Sequence, residues 1–489
     1  MKRTVLIALV GAALAAGQGV VVPKFAGPIP VTADSYPFLD AGHSLVPYDL
    51  AKYGYVEQEF IVSGTANVYD WAADGALTVK TPNAPYAARI LVRRPANAAK
   101  FSGAVVVEPL GAVRRFDWAI MYGYLNEHMM ENGDAWVGIT MPAASDALKK
   151  FNPTRYAAVN FANPNPGEAC PGAKGGPAAM EEGLRWDMIS QVGALLKSYS
   201  LAGSPFAGFG VEWLYMTSQF PDVVTYLDAI HAHARLANGK PVYDGYLLRN
   251  PGAPSRISQC APAPARNDPR SVVAKVDVPV IEVVAQGEVP DSISQRRPDS
   301  DEPGNKFRRY EVAGAAHIDR WAYDRGFPTF ADQTASGGAT QGTPEFPLNA
   351  KCDAPFSFST DTRLKFVYDS TLVHLDAWAR KGTPAPKAPP VEVKDGAVVM
   401  DAAGNGMGGV RSPWVDVPAA TYFTGTTPAA CREFGHTIVF DEARMASLYG
   451  SEKNYQAKFD QSVDQLVKAG WFTASDGKKM KAEARAAKP

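Results

Sequence analysis

Ser218, Glu288 and His317, in that chain order, are the residues whose types and placement could do chemistry. A serine hydroxyl attacks a carbonyl once a base takes its proton. An imidazole is that base when a carboxylate fixes its tautomer. Ser218 closes the apolar run Val211-Glu-Trp-Leu-Tyr-Met-Thr217, and a helical pattern, Asp222-Val-Val-Thr-Tyr-Leu-Asp-Ala-Ile230, follows at once. Strand, sharp turn bearing serine, then helix are the parts of a nucleophile elbow. The turn itself reads Met216-Thr-Ser-Gln-Phe220, without the two glycines of G-x-S-x-G. Pro221 suits the first turn of a helix, whose N-terminus would bring partial positive charge near the reacting oxygen.

His317 is the only histidine between His233 and His374, and it ends the small-residue loop Gly314-Ala-Ala-His317. That loop directly follows a strand pattern ending at Val312. For the acid, Glu288 stands just past the apolar strand Val278 to Val284, where a carboxylate can reach such a base. Glu282 lies inside that strand and reads as structural, while Asp299 and Asp301 compete from Arg297-Pro-Asp-Ser-Asp-Glu302. An oxyanion needs backbone N–H donors. Gln219, next after the serine, offers one, and Leu110 or Gly111 in Glu108-Pro-Leu-Gly111 offers the other.

These residues need a frame. Ala104 to Glu108, Ala135 to Thr140, Val211 to Thr217, Gly245 to Leu248 and Val278 to Val284 read as short buried strands. Helical spacing fills Trp118 to Met130, Gly183 to Ser200 and Thr362 to Arg380. Strands alternating with helices predict an α/β fold, a mostly parallel central sheet with helices on both faces. Such sheets put their sites at the carboxyl ends of the strands, where all the candidates fall. Phe307 to Val312 alternates as an edge strand would. Residues 143–182 and 320–360 are rich in Pro, Gly and Asn and read as lid-like insertions. A stiff Pro-rich connector, Lys381 to Pro390, leads to an extension with a helical stretch near Ser451 to Ala469.

The 489 residues, 46% hydrophobic and 20% charged with formal charge −1, describe ordinary globular material without a nucleic-acid-binding stripe. Lys2-Arg3, the apolar run Val5 to Leu14 and Ala13-Leu14-Ala15 read as a signal peptide over residues 1–15. The expected mature protein, periplasmic or secreted and without a membrane span, comprises a main domain over 16–390 and the extension over 391–489. Cys170, Cys260, Cys352 and Cys431 suggest two disulfides, with three connectivities open. Gly404 to Gly409 matches G-x-G-x-x-G, but Ser412-Pro413 leaves no room for the helix a dinucleotide site needs. Asp299 to Gly304 begins like a calcium loop and lacks its twelfth-position carboxylate, which falls on Tyr310. No metal or cofactor is called for.

The chain also resembles a family: the bacterial, often exported α/β-hydrolase-domain proteins, which are serine-esterase-like. The resemblance rests on Val105-Val-Val-Glu108, Gly183-Leu-Arg-Trp-Asp187 with Ser190-Gln191, Thr217-Ser-Gln219 and Thr225-Tyr-Leu227. It continues in Glu311-Val-Ala-Gly-Ala-Ala-His317, Asp401-Ala-Ala-Gly-Asn405 with Gly408-Gly-Val-Arg411, and Cys431, so it spans nearly the whole mature chain. It implies an α/β-hydrolase fold with Ser218 as nucleophile, His317 as base and Glu288 as acid. Met216 departs from the family's glycine, and Phe220 and Pro221 from its small residues, which bears on activity more than on fold. The expected function is an exported serine hydrolase cleaving small-molecule carboxylic esters through an acyl-enzyme. The alternatives are a catalytically impaired binding protein on the same fold, or a non-covalent enzyme using His317 as its base.

Overall fold

The computed structural model describes residues 19–112, 115–167, 170, 178–218, 221–249, 252–337, 362–424 and 434–486. Nine strands form one sheet: β1 Lys24–Ala26, β2 Tyr55–Trp71, β3 Leu77–Pro95, β4 Ala104–Pro109, β5 Ala135–Ile139, β6 Trp213–Ser218, β7 Gly245–Arg249, β8 Val280–Ala285 and β9 Phe307–Val312. Their spatial order is β1-β2-β3-β5-β4-β6-β7-β8-β9. The first three strands pair antiparallel, and β5 through β9 are parallel throughout. β4, β5, β7 and β8 are buried at every position, as continuous apolar runs covered on two faces should be.

Alternation along β6 shows the two coverings. Leu214 faces Gly193 of the helix Arg185–Lys197, while the Tyr215 hydroxyl donates to Asp376 of the helix Leu364–Lys381 at 2.8 Å. The latter helix packs beside Ile120–Asn132, with the rings of Tyr124 and Tyr368 at 4.6 Å. From β4 the chain steps outward to β5 and returns on the other side as β6. The sheet's switch point therefore lies between β4 and β6, and Ser218 stands beside it at the carboxyl end of β6.

Three differences from the sequence expectations have local causes. The helix expected from Gly183 runs Arg185–Lys197, after a 3-10 turn at Glu182–Leu184 whose Gly183 N–H is taken by the Glu181 carboxylate. The helix after Ser218 is α-helical only over Asp222–Thr225, then widens to a π turn over Tyr226–Ile230, where His231 N–H reaches the Tyr226 carbonyl at 2.8 Å. The His231 ring there bonds the Tyr246 hydroxyl at 2.8 Å and Asp277 at 2.6 Å. Finally, β9 is the edge of the nine-stranded sheet yet is buried throughout. Val410 covers it: its N–H donates to the Glu311 carbonyl at 2.7 Å, and its carbonyl accepts from Ala313 at 3.0 Å.

Residues 391–424 thus pack on the main sheet. Farther on, Glu483 of the helix Ala474–Ala486 pairs with Arg363 at 2.8 Å and Lys365 at 2.7 Å. Cys170 and Cys260 form a disulfide, while Cys352 and Cys431 lie outside the described residues, as does the segment 1–15. Among the described residues no helix is long and apolar enough to cross a membrane.

A buried charge cluster pins the segment after β5 to the antiparallel strands. The fully buried Glu59 carboxylate accepts from Arg89 Nε at 2.7 Å, Arg155 Nε at 2.5 Å and the Tyr156 hydroxyl at 2.8 Å. Removing it would take the paired carboxylate from the buried Arg155 and leave the buried Arg89, among the described residues, only the Asp117 carboxylate, at 3.6 Å. Glu59→Ala is expected to cost roughly 3–5 kcal/mol, read as a lowered urea midpoint with unchanged slope. An unchanged midpoint would contradict this.

Candidate active site

Ser218 is the last residue of β6, opposite Leu248 of β7, and is 1% exposed. Gln219 and Phe220 lie outside the described residues, and Pro221 caps the helical turn that follows. Met216 is wholly buried, two residues on from Leu214 and so on the same face of the sheet, in register with Val107 and Tyr246. Its side chain is part of the main hydrophobic core.

Glu288 and His317 meet. Glu288 ends a 3-10 turn, Gln286–Glu288, directly after β8; His317 ends the loop after β9. His317 Nδ1 bonds Glu288 Oε1. The second carboxylate oxygen, Oε2, is buried and has no hydrogen-bond partner among the described residues. Two further bonds join the loops: Gly314 N–H donates to Gln286 Oε1 at 2.7 Å, and Gly287 N–H donates to the Ala315 carbonyl at 3.1 Å. Gly314 has φ +73°, and a Cβ there would stand 2.9 Å from Thr362 Cγ2 and 3.0 Å from Val415 Cγ2. Any larger residue would be strained and would push the loop off its neighbours.

The competing acids sit elsewhere. Asp299 accepts from Arg309 N–H at 3.1 Å, and Asp301 pairs with Arg308. Both contacts are toward the start of β9, whereas His317 follows its end. Glu282 pairs with Arg309 at 2.8 Å within the sheet, a structural role.

The turn after β4 is closed in this conformation. Leu110 N–H donates to the Ile139 carbonyl at 2.9 Å, and Gly111 N–H donates to the Trp118 carbonyl at 3.0 Å. Neither N–H is presented to a substrate oxygen while these bonds hold. Glu108 braces the same region. Its carboxylate accepts from Met121 N–H and Tyr122 N–H at 2.9 Å each and from Trp136 Nε1 at 3.0 Å. It so supplies the cap that Ala119 cannot give the helix Ile120–Asn132. Burial pushes this carboxyl up to about 7 against those three donors.

Sequence reasoning missed two residues here. Arg249 ends β7 one step beyond the register of Ser218 and is completely buried. Its guanidinium carbon lies 5.5 Å from the Tyr124 ring centroid, and its nitrogens have no hydrogen-bond partner among the described residues. Burial opposes its charge, while Tyr368, Tyr124 and Glu288 favour it, and the net direction is upward. Gln286, also fully buried, is the second. Each is a polar residue just past an apolar strand, which was the available signal.

A mixed, mostly parallel sheet with helices on both faces, a serine at the switch point and a histidine–carboxylate pair beyond the last strands define the α/β-hydrolase class. A family model described as alpha/beta hydrolase domain matches residues 25–482, and the chain belongs to that family. No curated protein matches the sequence. Among solved structures it is similar to a thermostable esterase from Pseudomonas putida, at 13% identity over 60% of this chain and 84% of that one, TM-score 0.30. It is also similar to an esterase from Rhizomucor miehei, at 11% identity over 58% and 82%, TM-score 0.28. A third is an alpha-beta serine hydrolase homologue from Coxiella burnetii, at 8% identity over 46% and 82%, TM-score 0.24.

Proposed function

We propose that this α/β hydrolase is an exported serine esterase that cleaves small-molecule carboxylic esters through an acyl-enzyme. The observation that carries the reading is the bond from Glu288 to His317 Nδ1. A carboxylate there accepts a hydrogen bond from Nδ1–H, which keeps the proton on Nδ1 and leaves Nε2 as the basic nitrogen. Nε2 then takes the Ser218 proton as Oγ attacks the ester carbonyl, and returns it to the leaving alkoxide. In the second half-reaction the same nitrogen deprotonates water, which attacks the acyl carbon, and returns that proton to Ser218 Oγ as the acyl–oxygen bond breaks. General-base help of this kind contributes about 10²–10⁴-fold.

The oxyanion of each tetrahedral intermediate takes the N–H of Gln219. The second donor comes from the Leu110–Gly111 turn, and this requires the bond of Leu110 to Ile139 or of Gly111 to Trp118 to open on substrate binding. Export is supported by Lys2-Arg3 and the apolar run after it. The Cys170–Cys260 disulfide fits an oxidising compartment.

Pre-steady-state hydrolysis of p-nitrophenyl acetate tests the covalent step. The expected result is a burst of p-nitrophenol approaching one equivalent, with an acetyl group on Ser218 in acid-quenched protein. Turnover with no acyl adduct would overturn the acyl-enzyme and favour water attack assisted by His317.

A further inference from the structure

We propose that the C-terminal extension is part of the catalytic frame: through Thr424, Gln286 and Val410 it holds the acid and base loops in the register that lets Glu288 reach His317. This rests on the reading of those two residues as acid and base.

The Gln286 side chain is a two-armed bracket with no exposure. Its Oε1 accepts from Gly314 N–H in the base loop at 2.7 Å, and its Nε2 donates to Thr424 Oγ1 in the extension at 3.2 Å. The amide is the chemistry this position needs, because one end must accept and the other donate. The preceding N–H of the base loop, on Ala313, is taken by the Val410 carbonyl. Two consecutive backbone donors of that loop are thus fixed, one directly by the extension and one through Gln286. The acid loop is held from the same side: a Cβ on Gly287 would stand 2.6 Å from the Thr424 carbonyl oxygen. Thr424 itself is anchored, because it follows the strand Ala420–Phe423, where the fully buried Asn405 bonds Tyr422 N–H at 2.8 Å and the Ala420 carbonyl at 3.1 Å.

Leaving either end of a buried bracket unpaired removes the reason for the loops to keep their spacing. A shift near 1 Å between acid and base is enough to cost about 10²-fold in rate. Gln286 and Thr424 are therefore positioning residues.

The test uses the full chain with Gln286→Met, Thr424→Val and Thr424→Ser. Circular dichroism and urea midpoints establish that each is folded. Two readouts follow: the low-field ¹H resonance of His317 Nδ1–H, assigned by its loss in His317→Gln, and kcat and KM on p-nitrophenyl acetate. Gln286→Met is expected to lose the resonance and about 10–100-fold in kcat with little change in KM. Thr424→Val should broaden or shift the resonance and lower kcat in the same direction. Thr424→Ser, which keeps the hydroxyl, should restore both.

Folded Gln286→Met and Thr424→Val with the wild-type resonance and wild-type kcat would overturn the proposal, as would a wild-type protein lacking the resonance. If Gln286→Met does not fold, Thr424→Val against Thr424→Ser decides. A wild type that shows the resonance but hydrolyses no ester refutes the esterase reading and leaves this one to be judged on the resonance.

Discussion

Ser218→Ala is expected to lower kcat for ester hydrolysis by at least about 10⁴-fold while leaving the protein folded. The size follows from the role. Without Oγ there is no acyl-enzyme, and what remains is water attack aided by His317 and the N–H donors. The fold should survive because Ser218, though buried, ends its strand, and Ala removes a single hydroxyl and opens little space. KM should stay within a few-fold, since the hydroxyl reacts with the substrate and contributes little to holding it. Steady-state kinetics on a p-nitrophenyl ester check this. A variant that retains wild-type kcat would transfer the chemistry to His317 acting without a covalent serine.

Glu288→Gln is the second large effect, expected at about 10³–10⁴-fold in kcat with the packing kept. The two side chains are nearly isosteric, so the loss is one of proton placement. A carboxylate oxygen can only accept, which fixes the proton on Nδ1 of His317. The amide can donate to Nδ1 and so favours the opposite tautomer, with Nε2 protonated and unable to receive the serine proton. Rates for Glu288→Gln, Glu288→Ala and wild type separate this from a packing effect. If Gln retains most of the activity, the carboxylate serves only to fill space, and the base must be oriented by another group.

Much of this arrangement was legible in the residues, for reasons that differ by element. β4, β5, β7 and β8 are continuous apolar runs bounded by turn residues, so their burial and parallel pairing follow from composition. Glu288 could be named because it is the first carboxylate past the apolar run of β8, and His317 because it ends a small-residue loop after the alternating strand β9. Local pattern gives strand-like pieces at Phe60 to Val62 and Ala88 to Arg93 but not the full 17 and 19 residues of the β2–β3 hairpin, because β3 alternates near its start and is continuously buried toward its end. Nor could spacing reveal Gln286. Its value lies in joining Gly314 and Thr424, which are 28 and 138 residues away in sequence. Leu110 and Gly111 show another limit: a glycine-bearing turn can be recognised, but whether its N–H groups are already engaged depends on Ile139 of the neighbouring strand and on Trp118 farther along the loop. Met216 looked like an obstacle to a tight turn; it lies on β6 and is wholly buried in the core.

The central claim is that Ser218 is an activated nucleophile. The most direct measurement is labelling of the folded protein with a fluorophosphonate, followed by proteolysis and mass spectrometry of the adduct. One stoichiometric adduct is expected on the peptide containing Ser218, absent in Ser218→Ala and strongly slowed in His317→Gln. Folded wild-type protein that stays unlabelled, or an adduct on any other residue, would contradict it.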